Sequence, residues 1–330
     1  MGLNLLEECR NAVRIGISGH ERPDGDCVGS CLGLQQYLRN CFPQAEVRVF
    51  LEKPAEIFRE LTGFEEIDSE FPDEEPFDVF FVLDSGVERT GAAVKYVEAA
   101  GKTINIDHHV SNQGSCQINY IKPEVGSTSE LIYDLMEKDR IEKATAMAIY
   151  VGMIHDTGVF QYSNTTPDTL RKGAELIAFG FDFPRLIQET FYQKSYVQAQ
   201  IMGRALMESI RFLEGRCIVS SIDRKSMEFY HAEPKDLDGI VNQLRNIEGI
   251  ECAIFMYQTS VLEYKVSMRS GDKVNVAEIA AYFGGGGHAR AAGCTLSGTF
   301  HDCVNNLSLH IEKQLKKWEA EHDERDNSDF

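Results

Sequence analysis

Apolar and polar positions along the chain follow two rhythms, one helical and one alternating. Leu6, Cys9 and Val13 recur at helical spacing and predict a helix over residues 3–13. Residues 14–18 then read as a short apolar strand, and Leu32, Leu34, Tyr37 and Leu38 predict a helix that begins near 27–30 and stops at Phe42-Pro43. Val47 and Val49, alternating with charge, mark a strand over 45–51. An acidic connection over 65–78 gives way to Phe77-Asp78-Val79-Phe80-Phe81-Val82-Leu83, the apolar run expected of a strand covered on both faces of a parallel sheet. A helix over 91–100, a strand over 102–106, a helix opening at Val125-Gly126-Ser127-Thr128-Ser129-Glu130 and a helix over 144–154 follow. Residues 185–212 read as helices, with 198–206 as part of a connector. Strands are predicted over 217–222, 252–258 and 264–269, and a frayed, charged helix and tail over 317–330.

This order predicts an α/β protein: a doubly wound, mainly parallel N-terminal domain over 1–190, a helical connector over 191–212 and a smaller α/β domain over 213–330. A length of 330 residues supports two cores, and 43% hydrophobic with 26% charged residues excludes disorder as the main state. The net charge of −19 argues against a groove that tracks long nucleic acid, while leaving room for a short anionic substrate. Nine cysteines without a C-x-x-C pair suggest neither a zinc ribbon nor a disulfide framework, so a reduced cytoplasmic setting is expected. Acids near Met1 stand where a secretory leader would carry bases, and no run of about 18 apolar residues predicts a membrane span.

The candidate chemistry lies where the strands end. His20, Asp24 and Asp26 follow the first strand, at the edge where open α/β sheets place their ligands. One imidazole with several carboxylates is a hard donor set suited to Mn²⁺, Mg²⁺ or another octahedral ion, although Pro23-Asp24-Gly25 is also ordinary turn chemistry. Asp84 ends the second buried strand, Asp107-His108-His109 the next, and His155-Asp156 follows the small-residue helix. Ser127 opens a helix as a cap, with phosphate contact through the same amides as the alternative.

Taken together, G-H-x-x-P-D-x-D-x-x-G-S at 19–30, L-D-S-G at 83–86, D-H-H at 107–109 and H-D-T-G at 155–158 resemble the DHH phosphoesterase superfamily. Phe283-Gly284-Gly285-Gly286-Gly287-His288, continuing to Gly293, resembles the signature of the family's associated C-terminal domain. The resemblance spans about residues 10–312. It implies two divalent ions, Mn²⁺ first with Mg²⁺ or Co²⁺ as alternatives, one held by His20, Asp24 and Asp84 and the other by Asp26, Asp84, His108 and Asp156. Asp84 would bridge them. It further implies that His109 faces the substrate phosphate as donor or general acid, and that Asp107 orients the His108 ring or is simply a strand-end acid. His155 is assigned to packing or to supporting the ligands. Arg269 and His288, with Gly285, Gly286 and Gly287 as an anion nest and Ser127 as a further contact, would bind the terminal phosphate in a cleft closed by the second domain.

The two-domain form, without membrane or sensory modules, resembles the branch that hydrolyses very short oligoribonucleotides and adenosine 3′,5′-bisphosphate. A cyclic or linear dinucleotide phosphodiesterase is the enzymatic alternative and a nucleotide-binding sensor the non-enzymatic one. The Gly-His signature argues against an inorganic pyrophosphatase. A homodimer is the oligomeric state to test.

Overall fold

In the first unit, burial on both faces of a parallel sheet is the organising condition. The computed structural model describes residues 3–326, and the chain divides into two units, Met1–Gln193 and Lys194–Phe330. The first opens with α1 (Leu5–Cys9), capped by Asn4, whose side chain accepts from the amides of Leu6 and Glu7. It is shorter than the predicted 3–13. Val13 is exposed, and its amide and that of Arg14 donate to Asp78 Oδ2 at 2.7 and 2.9 Å, so the backbone is already committed to the strand.

There follow β1 (Arg14–Ser18), α2 (Gly25–Cys41), β2 (Glu46–Phe50), β3 (Val79–Leu83), α3 (Val94–Ala99), β4 (Lys102–Asp107) and β5 (Ile118–Ile121). Then come α4 (Thr128–Leu135), α5 (Lys143–Asp156), α6 (Pro167–Ile177) and α7 (Phe183–Ile187), the last running into a π-helical turn at Gln188–Tyr192. The sheet order is β2-β1-β3-β4-β5 and every pairing is parallel. Because successive strand residues face opposite sides, Val79, Phe81 and Leu83 join the core beneath α2, α4 and α5. Phe80 and Val82 instead join Phe50, Phe77, Ala93, Tyr96 and Val97 on the other side. The apolar run is thus explained by two covered faces, and the polar groups emerge only at strand ends.

Helices α2 and α5 are in main-chain contact. Gly29 faces α5 so closely that a Cβ there would lie 2.6 Å from the Ala148 carbonyl and from the Gly152 amide, and a Cβ on Gly33 would lie 2.6 Å from Ile149. Gly25, one turn earlier, faces the His155 ring at 2.1 Å on the same measure. The stripe Gly25, Gly29, Gly33 brings the start of α2 beside the end of α5.

The second unit contains α8 (Tyr196–Met207), β6 (Ile210–Phe212), β7 (Cys217–Ile222), α9 (Arg224–Tyr230), α10 (Ile240–Arg245), β8 (Cys252–Ser260) and β9 (Glu263–Ser270). It closes with α11 (Val276–Tyr282), β10 (Gly286–His288), β11 (Ala291–Ser297) and α12 (Phe300–Asp326). Its sheet runs β10-β11-β9-β8-β7-β6, with only β7–β8 parallel. Of the segment expected as a separate connector, residues 194–212 fold into this unit, while 191–193 end the first: Ile201 and Ala205 of α8 are buried with Ile218, Ile240 and Leu244, and β6 pairs with β7. The tail expected from residue 317 is helical to Asp326, with Trp318 stacked on His322 at 3.8 Å; residues 327–330 of that expectation lie outside the described residues.

All nine cysteines are free thiols. No helix among the described residues is long and apolar enough to cross a membrane.

Candidate metal centre

The carboxyl ends of β1, β3 and β4 carry the candidate ligands to one edge. After β1 the chain turns into α2, where Asp24 is the N-cap: its Oδ1 accepts from the amides of Asp26 and Cys27, both at 3.1 Å. Cap and ligand are compatible roles, because a carboxylate has lone pairs for both. His20 is buried, and its Nδ1 lies 2.8 Å from the Glu21 carbonyl, which directs Nε2 toward Asp24 Oδ1 at 3.7 Å and Asp84 Oδ2 at 3.5 Å.

Asp84 follows β3 in a left-handed conformation, φ +58°, and is buried. A non-glycine residue held there is strained, and such strain persists where surrounding structure enforces it. Thr128 does so, donating its hydroxyl to Asp84 Oδ1 at 3.0 Å. The same residue's amide donates to Asp26 Oδ2 at 2.6 Å, and the Ser129 amide donates to Asp26 Oδ1 at 2.9 Å. The first turn of α4 therefore grips Asp26 by main chain and Asp84 by side chain, with the helix N-terminus favouring negative charge there.

Beyond β4, His108 Nε2 lies 3.0 Å from Asp156 Oδ2 and 3.5 Å from Asp84 Oδ1. It is buried, with no hydrogen bond of good geometry. Asp107 orients His109 rather than His108: its Oδ1 is 2.7 Å from His109 Nδ1, whereas His108 Nδ1 faces the Val125 carbonyl at 3.3 Å. Asp107 is fixed in turn by Asn112 Nδ2, which donates to Asp107 Oδ2 at 2.6 Å and to Asn105 Oδ1 at 2.8 Å.

Ligand atoms converge in three overlapping groups: His20, Asp24 and Asp84; Asp26, His108 and Asp156; and Asp84, His108 and His109. Within each they lie no more than 4.8 Å apart. The protonation energetics describe the same crowding. Burial pushes Asp26 up to about 6, helped by the charge of Asp156, and pushes Asp84 well above the carboxylate range, helped by Asp26. Burial alone would lower both imidazoles, yet Asp24 and Asp84 raise His20 to about 12, while Asp156, Asp26 and Asp84 raise His108 to about 10. Asp107 is held below the usual range, despite burial, by His109 and Asn112. Four clustered carboxylates and an unsatisfied buried imidazole nitrogen are a donor set that divalent cations relieve, so the residues fit two such ions.

Ser127 is buried as the cap of α4, accepting from the Glu130 amide at 3.0 Å, so its side chain is spent on the helix. His155 packs edge-on against Phe58 at 5.1 Å and Phe191 at 5.5 Å. The remaining expected residues lie in the second unit. Ala291 of β11 pairs with Arg269 on one side and His288 on the other, which sets those two side chains in one row on one face of that sheet. The glycine run divides by function: a Cβ on Gly285 would lie 2.2 Å from the Gly293 carbonyl and one on Gly287 2.5 Å from the Ala291 carbonyl, whereas Gly286 faces open space. The sequence places Thr128 and Ser129 only in a helix start, without their contacts to Asp26 and Asp84, and does not single out Asn112. The one available signal was the hydroxyl pair after Ser127, which looks like any helix start.

Comparison with known proteins agrees with this geometry. The family model described as DHH family, N-terminal domain, matches residues 14–153, and that of the DHHA1 domain matches residues 214–317. The chain is 32% identical over 301 residues to a bifunctional oligoribonuclease and PAP phosphatase NrnA of Thermus thermophilus, covering 90% of this chain and 89% of that one. It is 26% identical over 283 residues to the protein of the same name from Bacillus subtilis, covering 84% and 87%. Among solved structures, an exopolyphosphatase-related protein from Bacteroides fragilis superposes with a TM-score of 0.87 at 27% identity, covering 95% and 96%.

Proposed function

We propose, for a chain that belongs to the DHH family and carries a DHHA1 domain, that its phosphoester hydrolase activity acts on very short oligoribonucleotides, releasing mononucleotides, and on adenosine 3′,5′-bisphosphate, releasing AMP. The observation that carries this reading is that Asp84 belongs to two of the three candidate metal-binding groups and that His108 links one of these to the third, in a chain aligned over nine-tenths of its length with a relative named for those two activities. His20, Asp24 and Asp84 would hold one divalent ion and Asp26, Asp84, His108 and Asp156 a second, with the all-oxygen-and-imidazole set favouring Mn²⁺. Bound there, two such ions supply neutralisation of the charge that builds on the phosphoryl oxygens and a more acidic water.

The chain's own residues do the rest. Asp107 accepts from Nδ1 of His109 and so presents Nε2, which passes a proton to the leaving oxygen. Thr128 keeps the Asp84 and Asp26 carboxylates in register while charge shifts around them. Arg269 and His288 would bind the substrate's terminal phosphate. Every side chain that the family resemblance assigns to metal is present within the three groups, which supports turnover over a nucleotide sensor without it.

A rate series over oligoribonucleotides of increasing length, at one fixed salt concentration, tests the substrate class, with phosphate release from adenosine 3′,5′-bisphosphate alongside. Rates are expected to peak at roughly two to five nucleotides, since a net charge of −19 offers long polyanions no general attraction. Equal rates on dinucleotides and long strands would reject the reading.

A further inference from the structure

Immediately after Asp156 the backbone enters a costly conformation. Gly158, Val159 and Phe160 have successive φ values of +56°, +55° and +64°, and a β-branched valine in the left-handed region is a true outlier. The turn is nevertheless tightly fastened. The Val159 amide donates to the Ile154 carbonyl at 2.7 Å and the Gln161 and Tyr162 amides to the Thr157 carbonyl at 2.9 Å. Asn164 Nδ2 donates back to the Asp156 carbonyl at 3.2 Å and to the Gly126 carbonyl at 2.9 Å. The result is an exposed ring: Tyr162 lies across Gly158, where a Cβ would come within 2.3 Å of it, and is 50% exposed.

A second irregular element meets the same corner. The π-helical turn at Gln188–Tyr192 delivers Phe191 edge-on to His155, the residue before Asp156, and Tyr192 edge-on to Phe191 at 5.2 Å. Tyr192 is 47% exposed, and its hydroxyl lies 3.4 Å from Gln161 Nε2. Strained backbone and π turns concentrate at functional sites. Here both end in a half-exposed aromatic ring tied within a few residues to a candidate metal ligand, and the chemistry assigned above uses neither ring.

We propose that Tyr162 and Tyr192, linked through Gln161, whose side-chain amide lies 3.4 Å from the Tyr192 hydroxyl, form a stacking platform for one unpaired nucleobase of the substrate. The corner offers two half-exposed phenol rings and a side-chain amide. That chemistry matches the face and edge of a base rather than a phosphate. The proposal rests on the nucleotide-hydrolase reading and adds to it the residues that sense the base.

The test compares the wild type with Tyr162→Leu, Tyr192→Leu, Tyr162→Phe and Tyr192→Phe on a ribodinucleotide and on the same dinucleotide with one abasic ribose. Binding is read separately by fluorescence quenching of a 2-aminopurine dinucleotide carrying a non-hydrolysable phosphonate linkage. The leucine variants are expected to raise KM for the base-bearing substrate by roughly 5- to 100-fold and to lose the quench. The phenylalanine variants should remain within about twofold of wild type, and the abasic substrate should be indifferent to either change. Leucine variants that bind and quench like the wild type would overturn the platform. So would equal losses on the abasic substrate, the mark of a merely structural role. A wild type that cleaves a simple phosphodiester dye but no dinucleotide would overturn the nucleotide reading itself, and the platform with it.

Discussion

The two sheets of this chain bring their polar groups to the surface by opposite means. The parallel sheet is covered on both faces, so polar side chains can leave it only at strand ends, and there it gathers Asp84 and Asp107 beside His20, Asp26 and Asp156. The mixed sheet is covered on one face by α11 and α12, while on the other the helical core is built on β7 and β8 and α10 reaches β9, leaving the rest of β9 and β11 uncovered. On that uncovered part of β9 and β11, Lys265, Ser267, Arg269 and Thr295 face outward in alternation with buried Val266, Met268 and Cys294. A closed sheet thus concentrates anions at an edge, where they are buried and crowd one another. An open sheet spreads its charges, here Glu263, Lys265 and Arg269, over a surface, where water screens them. The first arrangement suits metal ions and the second suits phosphate.

The sharpest way to break this contrast is to remove a charge from the crowded edge. Asp84→Asn is expected to lower turnover by about 10³-fold or more and to deplete bound metal from both groups. The metal-free variant should keep or raise its thermal midpoint, because a buried carboxylate beside Asp26 is gone. Elemental analysis with thermal melting checks both, and an active, metal-replete variant would end the two-ion reading.

On the open sheet, Arg269→Ala would remove the proposed phosphate contact, charge-assisted and worth about 1.5–3 kcal/mol. It should cost roughly ten- to a hundredfold in kcat/KM on dinucleotides while leaving a small phosphodiester dye nearly unaffected. Equal losses on both substrates would assign Arg269 to structure.

Thr128→Val keeps the shape and deletes the hydroxyl that steadies Asp84, and should weaken metal affinity about tenfold. Thr128→Ser should restore it, as read by calorimetric titration with Mn²⁺. If valine and serine behave alike, the hydroxyl is idle.

The smallest expected effect is a pH trend in the metal-free protein. Asp26, His20 and His108 all have folded values raised above their unfolded ones. Each therefore lends stability that is full below its unfolded pKa, about 4 for the acid and 6.5 for the imidazoles, and that is lost as pH rises through the folded value. Asp26 acts between about pH 4 and 6, and the histidines take over above about 6.5. Thermal midpoints after chelation should fall by a few degrees from pH 5 to 9, and Asp26→Asn should flatten the acidic part of the slope. A midpoint that rises over this range would contradict the crowding.

What could be read in the sequence follows from the same contrast. An apolar run that stops at a carboxylate, as Val79–Leu83 stops at Asp84, announces a covered strand and its functional end together. The alternation Val266-Ser267-Met268-Arg269 likewise announces an open face. The partner of Asp107 was not legible, because His108 and His109 are neighbours in sequence and only the turn after β4 decides which ring faces back. Nor was the double grip of Thr128, since nothing local in a helix start reveals which distant acids its amide and hydroxyl will meet. The helix α1 is shorter than its spacing predicts, because spacing predicts a face, not where a longer-range bond to Asp78 will pull the chain straight.

The glycine stripe on α2 has a consequence for how such a centre can change over time. Where two helices touch through main chain, no side chain between them can grow or shrink by a methyl group to adjust the distance from Asp26 to Asp156. A Cβ on Gly152 would fall 1.8 Å from Ser129 Oγ and 2.7 Å from Asp26 Oδ1. Drift along this seam is closed in the enlarging direction. A lineage or an engineer wishing to retune the centre for an ion of different radius must work through the carboxylates themselves, by lengthening Asp to Glu, and not through the packing that supports them.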